Sequence, residues 1–306
     1  MELRQLKYFV KVGELLNFSE AARELFISQS TLSQQIRSLE GELRCTLLLR
    51  DSHSVALTEE GRYFLEDARQ TLLQARQCID RIADVQRLEE GTLNIGCTYS
   101  FGPIMSQTIL DFAERHPNIR MNVSLRTMEE VMAMLQKQVI DVALSYKPSE
   151  RYDNISSHIL FDNKLCVFVS DSHPLARKAP KSGVTPAQMQ DLRFVMPAKG
   201  MQARNLFELL IAAKGYAMDI RMEINEVNIL LNLVRSGRFA TVLSQAADFS
   251  RGGLACLPID VADNNIEGCC HILRGKYVKR SAKEFIKILQ EKNANNLMQR
   301  RWPDFD

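Results

Sequence analysis

Along the first sixty residues apolar side chains recur every three or four positions, the period of a helix with one buried face. Leu6, Phe9, Val10 and Gly13 set a first helix over about residues 3–15. Asn17-Phe18-Ser19 follows, with Ser19 placed to cap a second helix that runs through Leu25. Its Ala21 and Ala22 are small enough to let another helix cross closely. After the short turn Ile27-Ser28, Ser28 caps a third helix, and Leu32, Ile36, Leu39 and Leu43 form its apolar stripe. Leu47–Arg50 and Val55–Leu57 then read as two short strands around the tight turn Asp51-Ser52-His53-Ser54.

A longer pattern follows. Thr58 caps the next helix, with Glu59 and Glu60 in its first turn, where the helix dipole favours anions. Leu65, Ala68, Leu72, Ala75, Ile79 and Ile82 repeat at three-four spacing to about Leu88, as in a coiled-coil seam. At ~1.5 Å per residue this is a rod of roughly 45 Å, expected to pair with a second copy or to pack on its own chain. Glu89-Glu90-Gly91 reads as a hinge. Beyond it, strand-like and helix-like segments alternate: Thr92–Cys97, a helix to about Arg115, Ile119–Leu125, a helix to about Gln138, and Asp141–Ser145. That is the βαβαβ order of a parallel sheet with crossover helices. A second set runs through Leu165–Val169, a turn at Ser172–Leu175, and a helix after Thr185-Pro186. It goes on with Phe194–Met196, a helix near Arg204–Ala213, Asp219–Ile224, a helix over Val227–Arg235 and Phe239–Leu243.

Composition narrows the class. No apolar run approaches the roughly 18–20 residues of a membrane span, and Arg4, Lys7, Lys11 and Glu14 break the start of the chain, so the expected compartment is the cytoplasm. The cysteines are scattered apart from Cys269-Cys270, with no C-x-x-C and no zinc spacing, so they read as small buried hydrophobes, and no metal or cofactor is expected. The net charge of +2 says little, and in residues 1–60 acids outnumber bases. A nucleic-acid role must rest on geometry.

The third helix carries that geometry. Opposite its apolar stripe it shows Ser28, Gln29, Ser30, Thr31, Ser33, Gln34 and Arg37. Amides, hydroxyls and a guanidinium are the groups that bond base edges in a major groove. The same face also reads as the solvated side of an interaction module. The strand pair downstream favours DNA: it makes a wing with Arg50 and His53 at the height of the backbone phosphates.

The stretch from Phe18 to Leu65 resembles the signature of LysR-type transcriptional regulators. The matching positions are Ala21-Ala22, Ser28-Gln29, Ser33, Ile36, Leu39-Glu40, Leu47, Arg50, Leu57-Thr58 and Gly61. Ser30 stands where the family often has Pro, Arg44 where a Gly often ends the helix, and Leu48 where Phe is frequent. Further on, the resemblance is looser and rests on Gly91–Gly96, Arg115–Ile119, Asp141–Leu144 and His173–Ala176. It implies an α+β protein with a winged helix-turn-helix head (1–60) and a linker and dimerisation helix (58–90). It also implies an effector-binding domain (91–306), a two-lobed α/β sensor of the periplasmic-binding-protein-like (type 2) kind. Lobe I would take about 92–162 plus 267–306 and lobe II about 163–266. The implied partners are double-stranded promoter DNA, a small-molecule effector, further copies of the chain as homodimer or homotetramer, and RNA polymerase.

Ligands of open α/β sheets bind beyond strand C-termini, at helix N-termini. That selects Thr98, Tyr99, Ser100, Thr127 and Met128 on one side, and Lys199, Gly200, Gln202 and Asn225 on the other. Ser100 also coincides with a hydroxyl that the family keeps at its pocket floor. Thr127-x-x-Glu130 reads equally as a capping box, and Lys199 as a solvated surface lysine. The hydroxyls, helix starts and Lys199 point to a small carboxylate-like effector. Residues 194–210 hold no cysteine, which sets the chain apart from the peroxide-sensing branch. A ligand-independent repressor is the alternative. An enzyme is disfavoured, because His53, His116, His158, His173 and His271 lie far apart in the chain, and no G-x-S-x-G, phosphate-loop or H-E-x-x-H motif occurs.

Overall fold

The computed structural model describes residues 1–51, 54–85, 90–148, 150–178, 183–211, 215–247 and 252–297. The chain forms two compact units, Met1–Gln86 and Arg87–Asp306.

The first unit holds α1 (Leu3–Leu15), α2 (Phe18–Glu24), α3 (Gln29–Leu43), β1 (Leu48–Arg50), β2 (Val55–Leu57) and α4 (Glu59–Val85). Ser28 caps α3 as expected, accepting from the Thr31 N–H at 3.0 Å. The cap of α2 differs from expectation. Asn17, in extended backbone, accepts from the N–H groups of Ser19 and Glu20, at 3.0 and 3.1 Å, and Ser19 lies inside the helix. An Asn side chain just ahead of the helix reaches two of its free N–H groups at once. At the other end of α3, Arg44 takes the left-handed conformation (φ 54) that the family usually gives to glycine, so the helix stops there with a non-glycine residue. Such a residue costs about 1–3 kcal/mol in that region.

The core of this unit is built on Leu6, Phe9, Val12, Leu32, Ile36, Leu39 and Leu47. Two residues read as dimer seam belong to it. Leu65 and Ala68 are buried there, and Leu72 packs at its edge. A Cβ on Gly13 would approach Leu65 Cδ1 to 3.0 Å, so α1 and α4 meet through a glycine. Only farther along does the seam emerge: Ala75 is half-buried, and Ile79 and Ile82 are 62% and 59% exposed. The seam's expected end at Leu88 falls outside the described residues.

Glu40 fastens the wing. Its Oε1 accepts from the N–H groups of Leu47 and Leu48 at 2.9 and 3.2 Å, and its Oε2 meets Arg50 Nη2 at 2.6 Å. The pair is largely shielded, at 24% and 14% side-chain exposure for Arg50 and Glu40. Gly61 completes the packing, because a Cβ there would lie 2.1 Å from the Leu47 carbonyl oxygen.

The second unit runs β3 (Gly91–Cys97), a 3₁₀ turn (Tyr99–Phe101), α5 (Gly102–Arg115), β4 (Ile119–Leu125), α6 (Met128–Gln136), β5 (Val142–Tyr146) and β6 (Ile155–Asn163). It continues with β7 (Leu165–Ser170), α7 (Pro174–Lys178), α8 (Pro186–Met189), β8 (Arg193–Pro197), α9 (Gln202–Leu210), β9 (Asp219–Ile224), α10 (Val227–Arg235) and β10 (Thr241–Ser244). β11 (Leu254–Pro258), β12 (Ile266–Leu273) and α11 (Arg280–Leu297) complete it.

One sheet has the order β4-β3-β5-β12-β6, in which β4, β3 and β5 are parallel and β12 runs against both its neighbours. In the other, β8 and β9 are parallel, and β7 runs antiparallel to β10 and β11. Two backbone bonds of 2.9 Å, from Val195 N to Ala240 O and from Ala240 N to Arg193 O, join these pieces into the order β9-β8-β10-β7-β11. The two sheets therefore share one plan. The parallel pairing expected from the βαβαβ order is present in β3, β4 and β5, and each sheet also carries two further strands that the alternation does not predict, one of them antiparallel to its neighbours. Each sheet has its own apolar core, one around Phe101, Phe112 and Phe285, the other around Phe168, Phe194 and Phe207.

The chain leaves the first sheet after Asn163 and returns at Ile266, and a buried asparagine closes each passage. Asn163 donates to the Tyr146 hydroxyl (2.7 Å) and accepts from Lys164 N and Ala246 N. Asn264 accepts from Leu165 N (2.7 Å) and donates to the Leu165 and Ile259 carbonyls, both at 2.8 Å. Within the first sheet His271 bridges Ser145 (2.9 Å) and Ser157 (2.8 Å), and burial pulls its pKa down to about 4. Burial also lowers His158. Among the described residues no helix is long and apolar enough to cross a membrane.

Two outcomes follow. His271 is neutral when folded and protonates at about 4, against about 6.5 for an unfolded histidine. The unfolded chain therefore binds more protons between those values, and stability should fall as pH drops from about 6.5 to 4. His271→Gln should flatten that part of a denaturation-versus-pH curve. In the first unit, Glu40→Ala should cost about 3 kcal/mol by leaving Arg50 unpaired. Chemical denaturation of Glu40→Ala, Arg50→Ala and the double variant should give a double loss smaller than the sum.

Candidate nucleic-acid interface and effector cleft

With Leu32, Ile36 and Leu39 buried, helix periodicity turns the N-terminal polar side of α3 outward. Ser28, Gln29, Ser30, Thr31, Gln34 and Arg37 are exposed and Ser33 is half-buried. Several of these groups are already oriented. The Ser28 hydroxyl lies 2.9 Å from that of Ser30 and 2.7 Å from that of Thr31, so the cap and two exposed hydroxyls form one knot. Ser19 Oγ, from α2, donates to Gln29 Oε1 at 3.1 Å. Arg50 Nη1 donates to Ser33 Oγ at 3.2 Å.

Arg50 is placed differently from the expectation. Its guanidinium turns inward to Glu40 and Ser33 and sits 5.0 Å from the centroid of the Phe18 ring. Burial beside a carboxylate outweighs an exposed position at the wing edge, since the pair and the ring shield the charge together. The other expected wing residue, His53, lies outside the described residues.

In the second unit a narrow cleft opens beyond the ends of β3 and β4 in one sheet and of β8 and β9 in the other. Its cavity volume is about 10 Å³, and it is lined by Thr98, Tyr99, Ser100, Arg126, Thr127 and Met128 from one sheet's side. From the other side come Met201, Gln202, Ala203, Val227, Leu243 and Ala247. That volume holds about one water molecule, so the walls nearly touch. Gln202 spans it: its Oε1 accepts from Tyr146 N and its Nε2 approaches Met128 Sδ, both at 3.4 Å. Thr98 is 2% exposed, and among the described residues its hydroxyl has no hydrogen-bond partner. Ser100 is buried beside the Tyr146 phenol, whose pKa burial pushes up.

Six of the nine expected effector residues thus come together: Thr98, Tyr99, Ser100, Thr127, Met128 and Gln202. Thr127 does double duty. It caps α6 with Glu130, and the Thr127 N–H holds that carboxyl below its usual range. Lys199, Gly200 and Asn225 are not among the described lining residues, and Lys199 and Asn225 are exposed. The loop after β8 turns at Gly200 (φ 87), and the residues that face the cleft are those starting α9. The charge in the cleft belongs instead to Arg126, at the end of β4, whose Nη1 donates to the Leu125 carbonyl at 2.8 Å. Its place beside Thr127 at a strand C-terminus was the signal available for it.

Residues 3–62 match the bacterial regulatory helix-turn-helix proteins of the lysR family, and residues 86–294 match the LysR substrate binding domain. Among curated proteins, the Hca operon transcriptional activator HcaR of Escherichia coli (strain K12) is 31% identical over 304 residues, covering 96% of this chain and 99% of that one. The HTH-type transcriptional regulator AlsR of Bacillus subtilis (strain 168) is 30% identical, covering 81% of this chain and 82% of its own. Among solved structures, full-length CbnR complexed with its target DNA superposes with a TM-score of 0.70 at 23% identity, over 95% of this chain and 99% of that one. The regulatory domain of CcmR from Synechocystis PCC6803, in complex with 2-PG, gives 0.59 at 22% identity, over 67% of this chain and 99% of its own. A polar face on the third helix of a winged helix-turn-helix, a long helix and a cleft between two sheets thus occur here in one chain, which belongs to the LysR family of ligand-responsive, DNA-binding transcriptional regulators.

Proposed function

We propose that this regulator reads promoter DNA with the N-terminal half of α3 and senses a small anion in the cleft between its two sheets. The observation that carries the reading is the exposed run of Gln29, Ser30, Thr31, Gln34 and Arg37 over a buried apolar stripe. Side chains of these types bond base edges when a helix lies in the major groove. CbnR in complex with target DNA supports double-stranded DNA as the partner, and CcmR with 2-PG supports a small ligand in the second unit.

The cleft suits a small ligand with an apolar body and an anionic end. Met128, Met201, Val227 and Leu243 offer apolar contact, the Thr98 hydroxyl awaits a partner, and Arg126 supplies positive charge. Entry of such a ligand must part walls that nearly touch, so binding selects a more open arrangement of the sheets. Ile79 and Ile82 on α4 provide the exposed apolar surface for a second copy, and a dimer presents two recognition helices to two half-sites. The family resemblance adds pairs of dimers and contact with RNA polymerase to this reading, and places its action on DNA in the cytoplasm. No catalytic role is assigned. The buried Ser145 hydroxyl beside His271 already donates to the Tyr146 carbonyl at 2.9 Å, which leaves it no proton to give and no access to a substrate.

On DNA, Gln34→Ala should lose about 1–3 kcal/mol of discrimination between a selected operator and a scrambled duplex. Fluorescence anisotropy at fixed salt measures this, and unchanged discrimination would remove α3 from the groove. In the cleft, small carboxylates should raise the melting temperature of the wild type and of Lys199→Ala but not of Arg126→Ala. Stabilisation by cations or uncharged compounds alone would overturn the anion reading.

A further inference from the structure

We propose that Ser19 is a positioning residue that fixes the Gln29 side-chain amide as a donor, so that α3 reads hydrogen-bond acceptors in the major groove. The proposal rests on the reading that α3 enters that groove. A glutamine that recognises adenine by two bonds must accept from N6 with its oxygen and donate to N7 with its nitrogen. Here the oxygen already has a donor. Ser19 Oγ donates to Gln29 Oε1 at 3.1 Å, across the turn that joins α2 to α3. Ser19 is itself held, because the Asn17 cap binds its backbone N–H at 3.0 Å. With one of the two lone pairs of Oε1 taken, the Gln29 Nε2 group is the end more open to a base.

The same bias runs along the face. Ser33 Oγ accepts from Arg50, which Glu40 anchors, so the serine is left with its proton to give. Ser28 Oγ accepts from the Thr31 N–H. Arg37 has donors only. The chain's own donors thus take one of the two acceptor positions on Gln29 and on Ser33, which weights the face toward donation and so toward purine N7, guanine O6 and thymine O4 over adenine N6 and cytosine N4. The short spacing between α2 and α3 makes this possible, since it brings an α2 hydroxyl to the first residue of the recognition helix.

The test uses the full-length protein and an operator selected from a randomised duplex library, with binding read by fluorescence anisotropy at fixed salt. Ser19→Ala should reduce the ratio of operator to scrambled-duplex affinity by about tenfold, leave scrambled-duplex affinity unchanged, and add nothing to Gln29→Ala. Ser19→Thr, which keeps the hydroxyl, should retain the ratio. At the purine that Gln29→Ala shows to be read, 7-deaza substitution should cost as much as the Gln29 change, and removing an adenine N6 amino group should cost nothing. Equal weakening on both duplexes by Ser19→Ala, an unchanged ratio, or a loss on removing N6 as large as that on removing N7 would overturn the proposal. If Gln29→Ala itself leaves the ratio intact, the placement of α3 in the groove fails as well.

Discussion

A single carboxylate, that of Glu40, satisfies two backbone N–H groups and a guanidinium at the place where the chain turns from α3 into the wing. A strand only three residues long forms few ladder bonds, so its preceding amides need an acceptor from elsewhere. A glutamate less than one helical turn beyond Arg37 supplies it. Arg50 then balances the charge, Phe18 covers the guanidinium, and Ser33 is drawn into the same group. The wing, α2 and the reading face are thereby tied through one side chain. An arginine held in this way turns its guanidinium from the edge of the wing toward α3.

The second unit solves a related problem twice. A chain that leaves one sheet and later returns must interrupt backbone pairing at each passage, in surroundings without water. Asn163 and Asn264 replace the missing partners, each with an amide that both donates and accepts. The cleft lies close to the first of these passages, since Tyr146, which bonds Asn163, also gives its N–H to Gln202. A ligand that parts Gln202 from Tyr146 therefore acts next to the strand about which the sheets would have to move.

Most elements were legible because their apolar spacing is strong. Asp219–Ile224 and Val227–Arg235 appear in the structure with the bounds the pattern predicts. Where the reading failed, the reason lies in what spacing cannot carry. Ser156, Ser157 and His158 make β6 look polar, although Ser157 is satisfied by His271 from the neighbouring strand. Leu65 and Ala68 fit a dimer seam and an intramolecular core equally well, because both require the same helical period. Ser19 and Asn17 are both good caps, and only the backbone decides which precedes the first turn. The ring of hydroxyls in the cleft followed from strand ends. The charge did not, since Lys199 and Arg126 both flank such ends and only the fold turns one of them toward the cavity.

The burial of Leu65 and Ala68 in the head has a mechanical consequence. The start of α4 shares a core with α1 and α3, so the rod is packed into the head over its first turns. To the extent that this shared core moves as one, a tilt of α4 near Ile79 and Ile82 tilts α3 through the same angle, and the length of α4 sets how far α3 is displaced. In a symmetric pair, a small change in crossing angle there would alter the helical phase at which two heads meet the duplex, a geometric gear between subunit contact and operator spacing.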